Sequence, residues 1–132
     1  MTDATREIQI DRYSRINNKG ASIAFIDTLN TFKGWKLKLD TQDAWSQYNA
    51  VDFGRKKLKS VRGKVLSPTG GTLLIRLDKA DGTIMAEVKV PKGSSWNTVD
   101  ARVIKYQKGI HNLFVILKDN NPVEIDWIQF IK

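Results

Sequence analysis

The sequence predicts an all-β protein, a two-sheet sandwich or jelly roll, and three observations carry that expectation. Apolar residues recur with a period of two along most of the chain. No stretch sustains a 3.6-residue period, and turn-forming clusters recur roughly every 8–12 residues. With 132 residues, 41% of them hydrophobic, the chain has the material for one packed domain over residues 1–132.

The elements follow in order. Ile8 and Ile10 alternate with Glu7, Gln9 and Asp11, which predicts a first strand. Residues 15–20 are polar and turn-like, and the segments around Phe25, Phe32 and Trp35 show no clear facing. Trp45, Gln47, Asn49, Val51 and Phe53 fall on one side of a strand that ends at Gly54. Leu73, Ile75 and Leu77 mark another strand, beyond the turn cluster Ser67, Pro68, Thr69, Gly70 and Gly71. Asp81 and Gly82 form a tight hairpin turn of the kind that needs a positive φ, before Ile84, Ala86, Val88 and Val90. A longer loop over residues 91–95 leads to the alternation of Val99, Ala101 and Val103. Residues 113–117 are apolar at every position and read as a central strand buried on both faces. After Asp119, Asn120, Asn121 and Pro122, residues 125–131 close the chain with Trp127 and Phe130.

Composition removes several function classes. There is no cysteine, so disulfides, thiolate metal sites and thiol nucleophiles are excluded, and a single His111 excludes a multi-imidazole centre. No run of eighteen apolar residues predicts a membrane helix, and residues 1–16 hold no apolar signal-peptide segment. The net charge of +8 lies entirely in residues 55–132, concentrated at Arg55, Lys56, Lys57, Lys59, Arg62 and Lys64. Such a cluster attracts polyanions or guards a strand edge.

Catalytic constellations are poor. Asp40 with Asp43, or Asp78 with Asp81, would make the carboxylate pair of a glycosidase, yet the second pair borders a turn where acids cap or solvate. His111 follows Gly109 and reads as a turn histidine bonded to backbone rather than a general base. Gly70-Gly71 lacks the Lys and Ser or Thr of a phosphate cradle. Oxygen-ligand chemistry is the better prospect. Gln9 and Asp11 share one side of the first strand, and with Asp126 they would offer Ca²⁺ its preferred hard donors, or else are ordinary solvent-facing alternation. Trp96, after Lys92, Gly93, Ser94 and Ser95, either folds back as a core lid or offers its face to a sugar or a base.

Ordered motifs then add a family. WSQYNAVDFG (residues 45–54), GGTLLIRLD (70–78), GTI (82–84), VPKGSSW (90–96), GIHNLFVIL (109–117) and IDWIQF (125–130) together resemble family 6 carbohydrate-binding modules. IQIDRY (8–13) resembles the family's opening segment more loosely. The resemblance implies a jelly-roll β-sandwich of two antiparallel sheets that binds polysaccharide without cutting it. It also implies a secreted, cell-surface or periplasmic location and a covalently linked glycoside hydrolase domain. The partner it implies is a plant or algal cell-wall polysaccharide or its oligosaccharides, with neither nucleic acid nor membrane involved and the module a monomer. The family's structural Ca²⁺ maps onto Gln9, Asp11 and Asp126.

The family's stacking Trp maps onto Trp96, and its sugar-bonding Asn falls on Glu124, which accepts hydrogen bonds but donates none. The second clasping aromatic falls on Leu39; Trp35 either replaces it or fills the core. Asn120 and Asn121 add polar contacts, while Trp45 and Tyr48 are framework. The alternative is a structural or protein-interaction sandwich that has lost its sugar site, or a polyanion-binding module. A neutral sugar in the cleft, with sulfate or uronate groups elsewhere on the polymer meeting the Arg55–Lys64 cluster, reconciles Glu124 with the basic charge.

Overall fold

A computed structural model of the chain describes residues 2–10, 12–17 and 19–132. Among these described residues twelve strands form: β1 (Thr2–Asp3), β2 (Ile8–Gln9), β3 (Arg15–Ile16), β4 (Ala21–Phe25), β5 (Trp35–Leu39) and β6 (Trp45–Asp52), then β7 (Ser60–Leu66), β8 (Gly71–Leu77), β9 (Thr83–Val90), β10 (Asn97–Arg102), β11 (Ile110–Leu117) and β12 (Val123–Ile131). One sheet runs β1-β6-β11-β8-β9, with β3 also on β6; the other runs β10-β7-β12-β5-β4, with β2 also on β12. All pairings are antiparallel except β1 with β6. The expected two-sheet sandwich forms with this one parallel edge.

The core lies where alternate residues of the two sheets meet. Leu113, Val115 and Leu117 of β11 and Leu73, Ile75 and Leu77 of β8 bury their side chains in one cluster with Val61, Val65, Ile125, Ile128 and Phe130 of the opposite sheet. Each such burial contributes about 1.5–3 kcal/mol of transfer free energy. Phe53 and Phe130 lock the sheets edge to face, 5.0 Å between ring centres.

Three expectations change at particular residues. β6 does not keep one side. Ser46 and Tyr48 point to the core early in the strand, while Val51 and Phe53 do so after it turns. Ala50 holds φ at 54°, two residues of β6 (Asn49 and Ala50) stand against the single Asn112 of β11, and the Asn112 side chain accepts the Ala50 N–H at 3.1 Å. The extra residue reverses the alternation. At the β8–β9 turn the positive φ belongs to Asp78 (70°), not Gly82. Glycine is needed at 82 for a different reason: a Cβ there would lie 2.1 Å from the Leu77 carbonyl. Finally, β11 is central and buried on both faces as expected, but its outer face is covered by side chains alone. Phe114 and Ile116 pack with Leu74 under Trp45 and Ile84.

Strand direction sorts the loops to two ends. β7, β9 and β11 run toward one end, while β8, β10 and β12 leave it. Residues 40–44, 67–70, 91–96 and 118–122 therefore gather at that end, and residues 53–59, 78–82 and 103–109 at the other.

Candidate functional site

The first end is tied together by short hydrogen bonds. The Gly93 N–H donates to the Ser67 carbonyl at 3.0 Å, and the Ser67 hydroxyl to the Pro122 carbonyl at 2.7 Å. The Gln42 N–H donates to Asn120 Oδ1 at 2.8 Å, and its side-chain amide to the Lys118 carbonyl at 3.2 Å. Gly70, at φ 77°, packs against the backbone of Lys92. The loop that carries Trp96 is thus pinned to its neighbours before any ligand arrives.

Register then sets the neighbours of Trp96. Asn97, the first residue of β10, stands opposite the inward-facing Val65, and Trp96 immediately precedes it at the Leu66 end of β7. Leu66 stands opposite Glu124, Glu124 opposite Lys38, and Lys38 opposite Ser22. Leu66, Glu124 and Lys38 therefore lie in one row across three strands, with Trp96 at the loop that enters β10 next to the Leu66 end of that row. Trp96 is half-buried, neither sealed in the core nor fully free.

Glu124 does not act alone. Its carboxylate accepts a short hydrogen bond from Lys36, and both side chains are largely covered, 14% and 20% exposed. Lys38 lies 3.8 Å from Asp40 at the end of the row. Sequence reasoning identified Glu124 but missed Lys36. The diagonal cross-strand relation that pairs them exists only once the register is fixed.

The remaining expected residues divide. Asn120 faces the 40–44 loop, its side-chain oxygen engaged by Gln42; the Asn121 N–H donates to Asp119 at 3.1 Å. Leu39, at the position of the second aromatic, is fully buried. Trp35 does not join the row. It shares the parity of Leu37 and Leu39 and stacks on Phe25 with ring centres 4.0 Å apart and planes 26° from parallel. Among the described residues no aromatic ring stands against Trp96.

For the expected metal ligands, Gln9 stands opposite Trp127, one residue from Asp126, and the Ile10 N–H donates to the Asp126 carbonyl at 3.1 Å. Asp11 lies outside the described residues. The amide oxygen and carboxylate that Gln9 and Asp126 bring to this edge are hard donors of the kind Ca²⁺ takes. Lys64 Nζ also lies 3.6 Å from Asp126. Of the glycosidase-like pairs, Asp78 is engaged by His111 Nδ1 at 3.0 Å and by the Asn112 N–H at 3.2 Å. His111 bonds through Nε2 to the Lys108 carbonyl at 2.8 Å, the backbone role expected of it.

The Arg55–Lys64 cluster separates into two populations. Arg62 makes two bonds to Asp100, at 2.8 and 3.2 Å, and its guanidinium holds the Asp100 carboxyl below its usual range. Arg62 and Lys64 thus lie paired on the sheet face, whereas Arg55, Lys56, Lys57 and Lys59 lie at the far end.

Comparison with known proteins gives a consistent picture. The sequence profile of the family described as carbohydrate binding module (family 6) matches residues 15–132. The chain is 27% identical over 92 residues to an arabinoxylan arabinofuranohydrolase of Paenibacillus polymyxa, covering 65% of this chain and 14% of that protein's length. Its fold superposes on a family 6 module from Clostridium stercorarium in complex with cellobiose, with a TM-score of 0.88, 21% identity, and 100% and 97% of the two chains covered. A β-1,3-glucan-binding family 6 module from Bacillus halodurans gives a TM-score of 0.86 at 24% identity, covering 100% and 99%. At these identities the structural likeness establishes the fold.

Proposed function

The chain belongs to family 6 of the carbohydrate-binding modules, a non-catalytic family, and from that premise we propose that its Trp96 end holds a cell-wall polysaccharide of plant or algal origin. The observation that carries this reading is a half-buried Trp96 on a pre-tied loop that enters β10 at the end where Leu66 and Glu124 pair. A pyranose ring presents a face of C–H bonds that stacks on the indole, while its hydroxyls reach the polar groups beside it.

The Glu124–Lys36 pair supplies both hydrogen-bonding senses there. A carboxylate accepts and an ammonium donates, so together they provide what a single side-chain amide provides in the family pattern. With no second ring to clasp the sugar, stacking is one-sided, and the ion pair does more of the orienting. Trp96→Ala tests the reading: affinity for soluble glycans falls while the melting temperature holds, and unchanged affinity in a folded variant removes this end as the site.

The outer face of the first sheet offers a second reading. Asn17, Asp43, Arg76 and Asp81 rim a cleft of about 420 Å³ over Trp45, Leu74 and Ile116. Retained binding in Trp96→Ala that is lost in Trp45→Ala assigns the sugar to this face.

Three further parts of the reading go with it. The resemblance to an arabinoxylan arabinofuranohydrolase supports a linked glycoside hydrolase domain that the module holds to its substrate, outside the cytoplasm. Gln9, Asp11 and Asp126 would hold a structural Ca²⁺ that fastens the N-terminal segment to β12. At a hundredfold excess over Kd such an ion adds about 2.7 kcal/mol to stability. Chelation therefore lowers the melting temperature, and Asp126→Asn, already without the ion, loses that response; a chelator-insensitive wild type removes the metal.

A further inference from the structure

Residues 53–59 and 102–109 carry seven Lys and Arg (Arg55, Lys56, Lys57, Lys59, Arg102, Lys105 and Lys108) and no Asp or Glu. Far apart in sequence, the two segments are stitched into one surface at the end opposite Trp96. The Phe53 N–H donates to the Gly109 carbonyl at 2.8 Å and the Gly109 N–H to the Gly54 carbonyl at 2.9 Å. The Val103 N–H donates to the Lys59 carbonyl at 2.9 Å. The Tyr106 hydroxyl bonds the Phe53 and Gly54 carbonyls at 2.8 and 3.2 Å. Lys57, Lys59 and Arg102 border a cleft of about 610 Å³ floored by Val103 and Ile104, and Ile104 is 64% exposed.

Among the described residues none of the seven makes an ion pair, in contrast to Arg62 with Asp100 and Lys64 with Asp126. Cations held this close repel within a Debye length, and the hydrogen-bonded backbone beneath them keeps the loops from drawing apart. An anionic chain laid along the cleft removes that repulsion and releases its own counterions.

We infer that this end is a second binding surface, for an acidic polysaccharide bearing uronate or sulfate groups, and that it acts independently of the Trp96 end. The chemistry favours a glycan over other polyanions. Five of the seven cations are lysines, point charges on flexible stems that follow spaced carboxylates or sulfates without the bidentate fork suited to phosphate. The floor is aliphatic and accepts ring C–H groups, while the one aromatic between the loops, Tyr106, has its hydroxyl committed to the backbone and offers no stacking platform for bases. No amphipathic helix stands here to enter a lipid interface.

The inference goes beyond the sugar-cleft reading and is tested apart from it. Binding of the intact chain to polygalacturonate, dextran sulfate and neutral glucan is measured at low and high ionic strength, beside a triple variant, Lys57→Gln/Lys59→Gln/Arg102→Gln, and Trp96→Ala. The wild type should bind at least one acidic polymer, weakening steeply with salt. The triple variant should bind it on the order of tenfold more weakly, with its melting temperature and neutral-glucan affinity unchanged. Trp96→Ala should keep that salt-dependent binding and should match the wild type on acidic oligomers too short to span both ends. Preference for polygalacturonate assigns uronates, and preference for dextran sulfate assigns sulfate esters; either supports the site. No acidic binding, wild-type affinity in the triple variant, or loss of acidic binding in Trp96→Ala overturns it. So does tighter binding to duplex DNA or anionic vesicles than to either polymer at the same salt.

Discussion

At the end of the sandwich that carries Trp96, three cations have an acid beside them: Lys36 with Glu124, Lys38 with Asp40, Lys118 with Glu87, while Lys92 of the Trp96 loop stands outside these pairs. At the opposite end none of the seven cations makes an ion pair among the described residues, although Asp3 and Asp52 line one pocket with Arg55 and Lys56. The same strands feed both ends, so the difference lies in what the loops carry. A neutralised end discriminates through shape, stacking and oriented hydrogen bonds, and salt affects it little. An uncompensated end reads charge density, and salt weakens it.

Four variants break or sharpen that contrast. The largest effect is expected of Phe53→Ala, which removes the ring that meets Phe130 beneath the basic loops. It should cost about 3–5 kcal/mol in denaturant melts; a loss below 1 kcal/mol would mean the far end does not rest on the core. Next comes Trp96→Ala, with ~1–3 kcal/mol of glycan affinity lost by analogy with aromatic–base stacking. That effect belongs to one end only, so equal losses toward neutral and acidic polymers would merge the two ends.

Tyr106→Phe should cost ~1 kcal/mol of stability by deleting the hydroxyl shared by two carbonyls. Burial first, then the Asp52 charge, holds this phenol above its usual 10.0. Its contribution is therefore whole below pH 10.0 and fades as pH rises through the raised value. Wild type and variant should converge in alkaline melts, and parallel curves would place the hydroxyl's effect elsewhere. Asp100→Asn has the smallest expected effect, since both partners of its pair are exposed. The Asp100 carboxyl sits below the ordinary 3.8, so what the pair adds is present above that value and disappears on acidification beneath it. A difference that persists well below that pH would point to a cause other than the charge.

The strands were legible because alternation is a local property. β8, β9 and β11 follow directly from runs of Leu, Ile and Val between turn residues. β6 departs from simple alternation past Asn49, because its extra residue at Asn49–Ala50 is accommodated by Asn112 of the neighbouring strand, a pairing that alternation within β6 does not reveal. The same limit governed the site. Trp96 and Glu124 stood out through motif position, but Lys36 looked like one more surface lysine until strand pairing put it diagonal to Glu124. Trp35 could not be placed by sequence; strand pairing sets it against Phe25, where it stays 43% exposed. Basic residues were visible in number, while their division into paired and unpaired sets required the fold.

One strand reaches both ends. β7 begins at Ser60 beside Lys59 and finishes at Leu66 beside Trp96, a length of ~20 Å. It therefore acts as a fixed gauge. An oligosaccharide shorter than that span meets one end at a time, whereas a longer one with its acidic groups suitably placed reaches both and gains by effective concentration. Affinity plotted against degree of polymerisation would then show a step rather than a smooth climb, and the position of the step would report the length of β7.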